Sequence, residues 1–250
     1  MDKSRILFLV PLPPPVHGSA MVSQAIRNST WINRSFQTDY VNLSTSRKMN
    51  EIGKHCVKKI FRFFGAFSKM MYKLLFHRWD ACYLAITCHG IGFLKDVPFV
   101  ALCKWFSPKV ILHLHNKGLS KEVYRWPYRW LMPWIFRHTE VILLSERLYS
   151  DVASVVRPEQ VHICPNGLSS PVDIKEVSQS SVPHLLFLSN LIESKGVYVL
   201  LDACQILKDK GYSFICDFVG GETKEITRRH LEEEISQRGL EEYVVYHGPQ

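Results

Sequence analysis

The chain has 250 residues, which is room for one large domain or two small ones. Hydrophobic residues make up 46% of it and charged residues 22%, and the 13 glycines and 13 prolines are too few for a collagen-like or disordered chain. The formal net charge is +8, and no apolar window approaches the about 20 residues that a membrane-spanning helix needs. The seven cysteines include no CxxC pair, which argues against a zinc ribbon or a disulfide scaffold and favours reduced thiols in a cytoplasmic protein.

Short apolar runs alternate with helical segments in the first two thirds of the chain. The runs predict strands at 5–10, 39–43, 81–87, 109–114, 140–145 and 161–164. The segments between them predict helices that begin at about Met21 and near Val57, cover 97–106, lie within 121–137 and follow residue 145. Strands that alternate with helices are typical of a parallel, doubly wound sheet.

The helical segment near Val57 is unusually basic. Residues 47–78 hold nine basic residues and one acid, and the rest of the chain is balanced. Apolar residues step through this segment by three and four, so the helix has Phe, Leu and Met on one side. Such a helix can lie on an anionic membrane, and the residues that we expect at that surface are Lys58, Lys59, Arg62, Phe63 and Phe64. The alternative is a core-packing helix with a solvated basic face, whereas nucleic-acid binding is not expected.

Three tryptophans follow at a spacing of four. Trp126, Trp130 and Trp134 would share one face of a helix, and we predict that this face packs into the core. Pro127 and Pro133 are expected to break or kink that helix.

After Pro165 the periodic patterns stop. Residues 168–183 are rich in Ser, Pro, Val and Asp and predict a linker. A second alternating unit follows, with strands at 184–189, 214–219 and 243–247 and helices at 197–210 and 224–238. These patterns predict two domains, 1–180 and 181–250, whose opposite net charges suggest different partners. Three strands are half of a nucleotide-binding domain, so we expect the second domain to be incomplete.

Two motifs follow strands of the first domain. Gly18 and Ser19 lie between a strand and a helix, where small residues let backbone N–H groups approach an anion. The alternative is a turn that only connects. His113 and His115 end the fourth strand on one side, at the edge where open sheets bind ligands. The alternative there is a structural, hydrogen-bonded histidine.

Two more motifs flank the predicted linker. Asn166 and Gly167 favour a tight turn. Within residues 187–203 a strand ends, a short loop follows, and Lys195 and Gly196 open a helix. A lysine there can neutralise a phosphate that the helix N–H groups also hold. The alternative is a solvated lysine at the helix start.

In this order the motifs resemble the retaining glycosyltransferases of family 4, the group 1 transferases, over nearly the whole chain. The matching positions are His17–Ser19, His115, Ser145, Pro165–Gly167, Leu191, Lys195, Gly196, Ala203, Val219–Gly221 and Tyr246–Gly248. Ser19 and Ser189 replace glycines of the family pattern, and Asn190 stands where the family has a diphosphate-binding arginine. The family's E-x7-E element would lie beyond Gln250, so the resemblance implies a truncated second domain.

The resemblance also implies a fold and a function. The fold class would be α/β, with two facing Rossmann-like, doubly wound parallel-sheet domains (GT-B), the second incomplete. The enzyme would transfer a sugar from a nucleotide-diphosphate sugar to a saccharide or lipid-linked acceptor in cell-surface polysaccharide synthesis, in the cytoplasm at the inner face of the membrane. The implied site residues are His115 at the transferred sugar, Gly18, Ser19, Asn190, Lys195 and Gly196 at the donor diphosphate, and Asn166 and Gly167 near the hinge. No metal or other cofactor is expected.

Two other functions stay open. A chain without the donor-binding E-x7-E element is also consistent with a catalytically silent protein that binds a membrane or a partner. A sugar-nucleotide epimerase of similar architecture is a third candidate, which the PNG and KG elements match less well.

Overall fold

The structure is a computed structural model that describes residues 3–45, 57–167 and 182–250. These residues form two compact units, one before and one after the segment 168–181. The domain boundary predicted between residues 180 and 181, and most of the predicted linker, lie outside the described residues. So do the basic residues of the segment 46–56.

The first unit is built on a six-stranded parallel sheet. Its strands are β1 (Arg5–Val10), β2 (Gln37–Asn42), β3 (Ala81–Ile86), β4 (Val110–Leu114), β5 (Glu140–Leu143) and β6 (Val161–Ile163). They lie in the order β2-β1-β3-β4-β5-β6, with Ile6 opposite both Thr38 and Ala81. The predicted parallel arrangement is confirmed, and each predicted strand is present within two residues at either end. Sheets of this kind bury both faces, which is why near-continuous apolar runs marked the strands.

Seven α-helices are present among the described residues of this unit. They are α1 (Gly18–Asn28), α2 (Thr30–Ser35), α3 (Val57–Phe76), α4 (Gly90–Phe106), α5 (Leu119–Glu122), α6 (Tyr128–Phe136) and α7 (Tyr149–Val152). The helix predicted from Met21 begins earlier, because the His17 ring caps its first turn. The helix α2 was not predicted; Ser29 Oγ caps it by accepting a hydrogen bond from the Ile32 N–H at 3.3 Å.

The helices cover the two faces of the sheet unequally. The helices α3, α4, α6 and α7 pack on one face, around a core that includes Leu9, Leu84 and Phe136. On the other face, α1 and α2 pack near Phe8 and Tyr83. The chain passes from β1 to β2 in one direction and from β2 across β1 to β3 in the other. The carboxyl ends of β1 and β3 therefore border the crevice where doubly wound sheets bind ligands.

The second unit is smaller. Its parallel strands are β7 (His184–Leu188), β8 (Ile215–Val219) and β9 (Val244–Gly248), in that order, and its helices are α8 (Val197–Asp209) and α9 (Arg228–Gln237). Leu201 of α8 and Leu231 of α9 are fully buried in its core beside Phe218. The predicted strand–helix–strand–helix–strand order is confirmed.

The three evenly spaced tryptophans do not pack in the core, so that prediction is wrong. Trp126 precedes α6, and Trp126 and Trp130 are 78% and 68% exposed. The stripe that does pack consists of Tyr128, Met132, Ile135 and Phe136, at the helical spacing of four, three and one. The segment has two apolar stripes, and the aliphatic one faces the sheet. The helix starts directly after Pro127 and continues through Pro133 without the predicted break.

The described cysteines are free thiols. Five are buried and one is exposed; the buried ones are Cys82, Cys88, Cys103, Cys204 and Cys216, and the exposed one is Cys164. Within the described part of the chain, no helix has the length and apolar character needed to cross a bilayer.

Candidate functional site

A cleft of about 510 Å³ lies at the carboxyl edge of the first sheet. Its walls are the segments that follow β1, β2, β3 and β4, together with the start of α1 and one turn of α4. Three residues that the sequence singled out, Gly18, Ser19 and His115, line this one cleft. The topology explains why, since all four strands end at the same edge.

Hydrogen bonds fix the loops around the cleft in pairs. Asn42 Oδ1, at the end of β2, accepts from the N–H of Leu12 at 3.0 Å, which ties the loops after β1 and β2 together. Cys88 donates its N–H to Asn116 Oδ1 at 3.1 Å, which ties the loops after β3 and β4. These two hydrogen bonds hold neighbouring loops of the cleft wall together.

The amino end of α1 presents free backbone donors to the cleft. His17 Nδ1 accepts from the N–H of Ala20 at 3.4 Å and lies 3.1 Å from Ser19 Oγ. Burial lowers the pKa of His17, so the ring is neutral and its nitrogen can accept. The N–H groups of Gly18 and Ser19 have no partner among the described residues, and a Cβ at Gly18 would meet no atom within 4 Å. Backbone donors at a helix start with open space before them suit an anion.

Two histidine rings lie against each other at the cleft, with their planes inclined by 35°. The rings of His113 and His115 lie 4.0 Å apart, on the same side of β4 as strand alternation predicts. His113 Nδ1 is hydrogen-bonded to the Tyr83 hydroxyl. Burial, with the neighbouring His115, lowers the pKa of His113 to about 3, and burial also lowers the pKa of His115. Both rings are therefore neutral at pH 7.

His115 has unmet hydrogen-bonding capacity. Both of its ring nitrogens are shielded from solvent and have no hydrogen-bond partner among the described residues. Buried polar atoms in native proteins are nearly always paired, and an unpaired one asks for an explanation such as an absent ligand. His115 lines the cleft, so a ligand hydroxyl there would pair with one of these nitrogens once the ring turns toward it.

The cleft wall also contains an acidic and a basic residue, Asp96 and Lys95, that were not predicted. Asp96, only 3% exposed, accepts from the N–H of Thr87 at 2.9 Å, and its other oxygen lies 3.3 Å from Lys95 Nζ. Lys95 and Asp96 both line the cleft. The helix was predicted to start at residue 97, which left this pair outside it. Adjacent opposite charges within an apolar helix were the available signal.

Asp151 holds the chain that continues from His115. Its carboxylate accepts hydrogen bonds from the N–H groups of Gly118, Leu119 and Ser120 and from Ser120 Oγ, at 2.6–3.2 Å. Burial raises the pKa of Asp151, but these hydrogen bonds outweigh it and leave the pKa lowered. The loop after β4 is thus anchored by a carboxylate that stays charged.

The second unit carries the other predicted residues at the carboxyl edge of its own sheet. Asn190 follows β7, and its Oδ1 accepts from the N–H of Gly221 at 3.1 Å. Its Nδ2 group has no partner among the described residues. Gly220, at φ +154°, lies so close to the β7 loop that a Cβ there would meet Ser189 O at 1.8 Å.

Lys195 and Gly196 form the start of α8. Lys195 is exposed, and Gly196 caps the helix with φ +87° and no side chain. No described group accepts from the N–H groups of Val197, Tyr198 and Val199. Three backbone donors and a lysine therefore lie together at one helix end, as binding of a phosphate requires.

The remaining predicted residues lie elsewhere. Asn166 and Gly167 follow β6, are exposed and do not line the cleft. On α3, Phe64 is 59% exposed, whereas Phe63 turns inward and lies 5.3 Å from the ring of Phe99. Phe63 therefore does not belong to the exposed face on which it was predicted.

Comparison with known proteins places the fold. No protein-family model matches the sequence, and no curated protein sequence matches it. Among solved structures, HepE from Anabaena, in complex with UDP and glucose, covers 99% of this chain and 70% of its own at 16% identity and a TM-score of 0.60. The match to WaaG, a glycosyltransferase involved in lipopolysaccharide biosynthesis, covers 98% of this chain and 70% of WaaG, at 13% identity and a TM-score of 0.59. A protein from Listeria monocytogenes described as a UDP-N-acetylglucosamine 2-epimerase also matches. That match covers 100% of this chain and 70% of the other, at 9% identity and a TM-score of 0.58.

These similarities show that the two units are the Rossmann-like domains of the GT-B fold, the second smaller than the first. The predicted α/β class with two Rossmann-like, parallel-sheet domains is thereby confirmed. Because a transferase and an epimerase both share it, the fold does not choose between their activities, and the choice depends on the site.

Proposed function

We propose that this chain is a glycosyltransferase that moves a sugar from a nucleotide-diphosphate sugar to a saccharide or lipid-linked acceptor. One observation carries the proposal: the cleft of the first unit joins free helix N–H donors at Gly18 and Ser19 with the unpaired ring of His115. The similarity to HepE, which was solved with UDP and glucose, and to WaaG supports it.

The chemistry requires stabilisation of the departing diphosphate. Negative charge develops on that group while the anomeric carbon becomes positive, and preorganised donors lower the barrier. In this proposal Lys195, Asn190 and the start of α8, all in the second unit, bind the diphosphate. The N–H groups at the start of α1 bind an anionic group in the cleft of the first unit. The neutral ring of His115 binds hydroxyls of the transferred sugar rather than acting as a charged acid. We further propose retention of anomeric configuration without a metal.

Replacing Lys195 by alanine tests the diphosphate assignment. We expect donor hydrolysis and transfer, measured with a panel of nucleotide-diphosphate sugars that includes UDP-glucose, to fall at least tenfold, because a charge that stabilises the leaving group is lost. The matched control is Lys210→Ala at the exposed carboxyl end of the same helix, which should leave the rate unchanged.

Equal rates in Lys195→Ala and the control would remove Lys195 from the site. If no nucleoside diphosphate raises the melting temperature of the unaltered chain, and no sugar donor is consumed, the catalytically silent alternative replaces the proposal. Epimerisation of the donor sugar without transfer would favour the epimerase.

The acceptor side is proposed to face a membrane. Along α3, Phe61, Phe64 and Tyr72 are exposed on the side opposite the packed residues, so this helix is apolar on two sides. Its amino end adjoins the cleft, since Arg62 Nη1 donates to the carbonyl of Thr45 at 2.8 Å and Thr45 lines the cleft. A lipid-linked acceptor held at this helix would thus present its sugar beside His115.

Charge reversal on α3 tests this contact. We expect the triple variant K58E, K59E and R62E to float at least tenfold less with vesicles of phosphatidylcholine and 30% phosphatidylglycerol than the unaltered chain, because attraction to anionic lipid is reversed. The control variant K210E and K224E changes exposed lysines of the second unit and should float like the unaltered chain. Equal flotation of all three proteins would contradict the α3 contact.

A further inference from the structure

A second exposed aromatic surface lies on α4, α6 and the turn between α5 and α6. It consists of Trp105, Tyr124, Trp126, Trp130 and Trp134, and is called the tryptophan surface below. Trp105 is 86% exposed, and Trp130 is 68% exposed. Large aromatic groups dominate buried cores and interfaces, so five exposed ones on elements that include the packed helices α4 and α6 indicate a contact surface.

Hydrogen bonds from Lys104 connect the two helices α4 and α6 that carry this surface. The ammonium group of Lys104, next to Trp105, donates hydrogen bonds to the carbonyl oxygens of Trp134 at 2.6 Å and of Arg137 at 2.7 Å. The same ammonium lies 4.9 Å from the centre of the Trp134 ring. Lys104 thereby caps the carboxyl end of α6 and holds it against the end of α4, so the helix ends that carry Trp105 and Trp134 are neighbours.

The charges around the tryptophan surface are positive. Arg129 lies 5.3 Å over the ring of Trp130, and Lys121, Arg125 and Arg137 are exposed nearby. The one acid in this stretch, Glu122, is mostly buried and pairs with Arg125 at 3.1 Å. A partner that covers this surface therefore has to bring negative charge as well as apolar contact.

The indole N–H groups of the tryptophan surface are unpaired among the described residues. No described residue accepts from the indole N–H of Trp105, Trp126, Trp130 or Trp134. Tryptophan concentrates at membrane–water boundaries because its ring is apolar and its N–H seeks the headgroup level. Basic residues among such rings add attraction to anionic lipid.

We infer that the tryptophan surface docks onto an anionic lipid bilayer. It forms a second contact beside the one proposed for α3, since α4 packs between α3 and α6 on the same face of the sheet. The inference does not depend on the proposed transfer reaction. It assigns to the bilayer a set of residues for which the cleft has no use.

Tryptophan fluorescence provides the test, because α3 contains no tryptophan. On addition of vesicles of phosphatidylcholine and 30% phosphatidylglycerol, we expect the emission to shift to shorter wavelength and to be quenched when the lipids are brominated. The variant W105S and W130S should bind these vesicles at least tenfold more weakly. Pure phosphatidylcholine vesicles, or high salt, should abolish most of the shift.

Trp31→Ser is the matched control. Trp31 is 70% exposed, as exposed as Trp130, but lies on α2 at the opposite face of the sheet, so its loss should leave vesicle binding within twofold. If vesicles float the protein while brominated lipids leave its emission unquenched, the inference is wrong and the α3 contact alone survives. Binding by W105S and W130S equal to that of the unaltered chain would also overturn it and favour a protein partner for the surface.

Discussion

Replacing Gly220 by alanine is expected to destabilise the second unit by roughly 4 kcal/mol. Gly220 has φ +154°, a conformation closed to side chains, and its Cβ would lie 1.8 Å from Ser189 O and 2.4 Å from Ser189 C. Backbone strain contributes about 1–3 kcal/mol and forced displacement of packed atoms about as much again. Because the atoms in the way belong to backbone, no rotamer change relieves the clash.

The damage should extend to the proposed donor site. The N–H of Gly220 donates to the carbonyl of Gly248 at 3.0 Å, and the N–H of Ser189 donates to that of Val219 at 3.0 Å. Moving Gly220 therefore disturbs the ends of all three strands of the second sheet. Hydrogen exchange of peptides from residues 184–248 in the full chain measures the loss of stability directly.

Gly211→Ala supplies the comparison. Gly211 also has positive φ, at +76°, but a Cβ there would meet open space, so only strain of about 1 kcal/mol is expected. If the two variants exchange at the same rate, close approach of the β7 and β8 loops is not what requires glycine at 220.

The second large effect is a loss of stability in acid that is caused by His113. Burial, together with His115, lowers the pKa of His113 to about 3, whereas an unfolded histidine has a pKa of about 6.5. Between these values the unfolded chain binds a proton that the folded chain refuses, so stability is complete above about pH 7 and falls as the pH is lowered. Linkage gives a loss of about 2 kcal/mol at pH 5 and about 4 kcal/mol at pH 3.

Urea unfolding at pH 7 and pH 5 measures this loss. Tryptophan emission follows the first unit alone, because all six tryptophans lie in residues 31–134. We expect His113→Asn to lose about 2 kcal/mol less than the unaltered chain between the two pH values. His162→Asn, at an exposed position on β6, should behave like the unaltered chain. An unchanged pH dependence in His113→Asn would show that His113 is not the group whose protonation is disfavoured in the folded chain.

The strands were the predictable part of this fold, for a physical reason. A parallel strand buried on both faces needs a continuous apolar run, and residues 5–10 and 81–86 show one. Helix starts were less predictable because they depend on caps such as the His17 ring. The tryptophans misled because a spacing of four marks a helix face without saying which of two apolar faces meets the sheet.

Some residues of the candidate site were predictable from the sequence, and others were not. Gly18, Ser19 and His115 were found because they follow strands that end at one sheet edge. The Tyr83–His113 hydrogen bond and the Asp151 anchor join residues about thirty positions apart, and no local pattern records such pairs. Lys95 was missed because a predicted helix start was placed too late.

The side chain missing at Gly196 has a consequence of its own. Asparagine or serine at a helix start occupies the first amides with its own oxygen, whereas glycine leaves them vacant and weakens the helix by only about a few tenths of a kcal/mol. In α8 the vacant amides are held rigidly by the helix behind them, so an incoming anion displaces water but no protein atom. The start of α8 is therefore open to an anion because Gly196 has no side chain that could cap the helix.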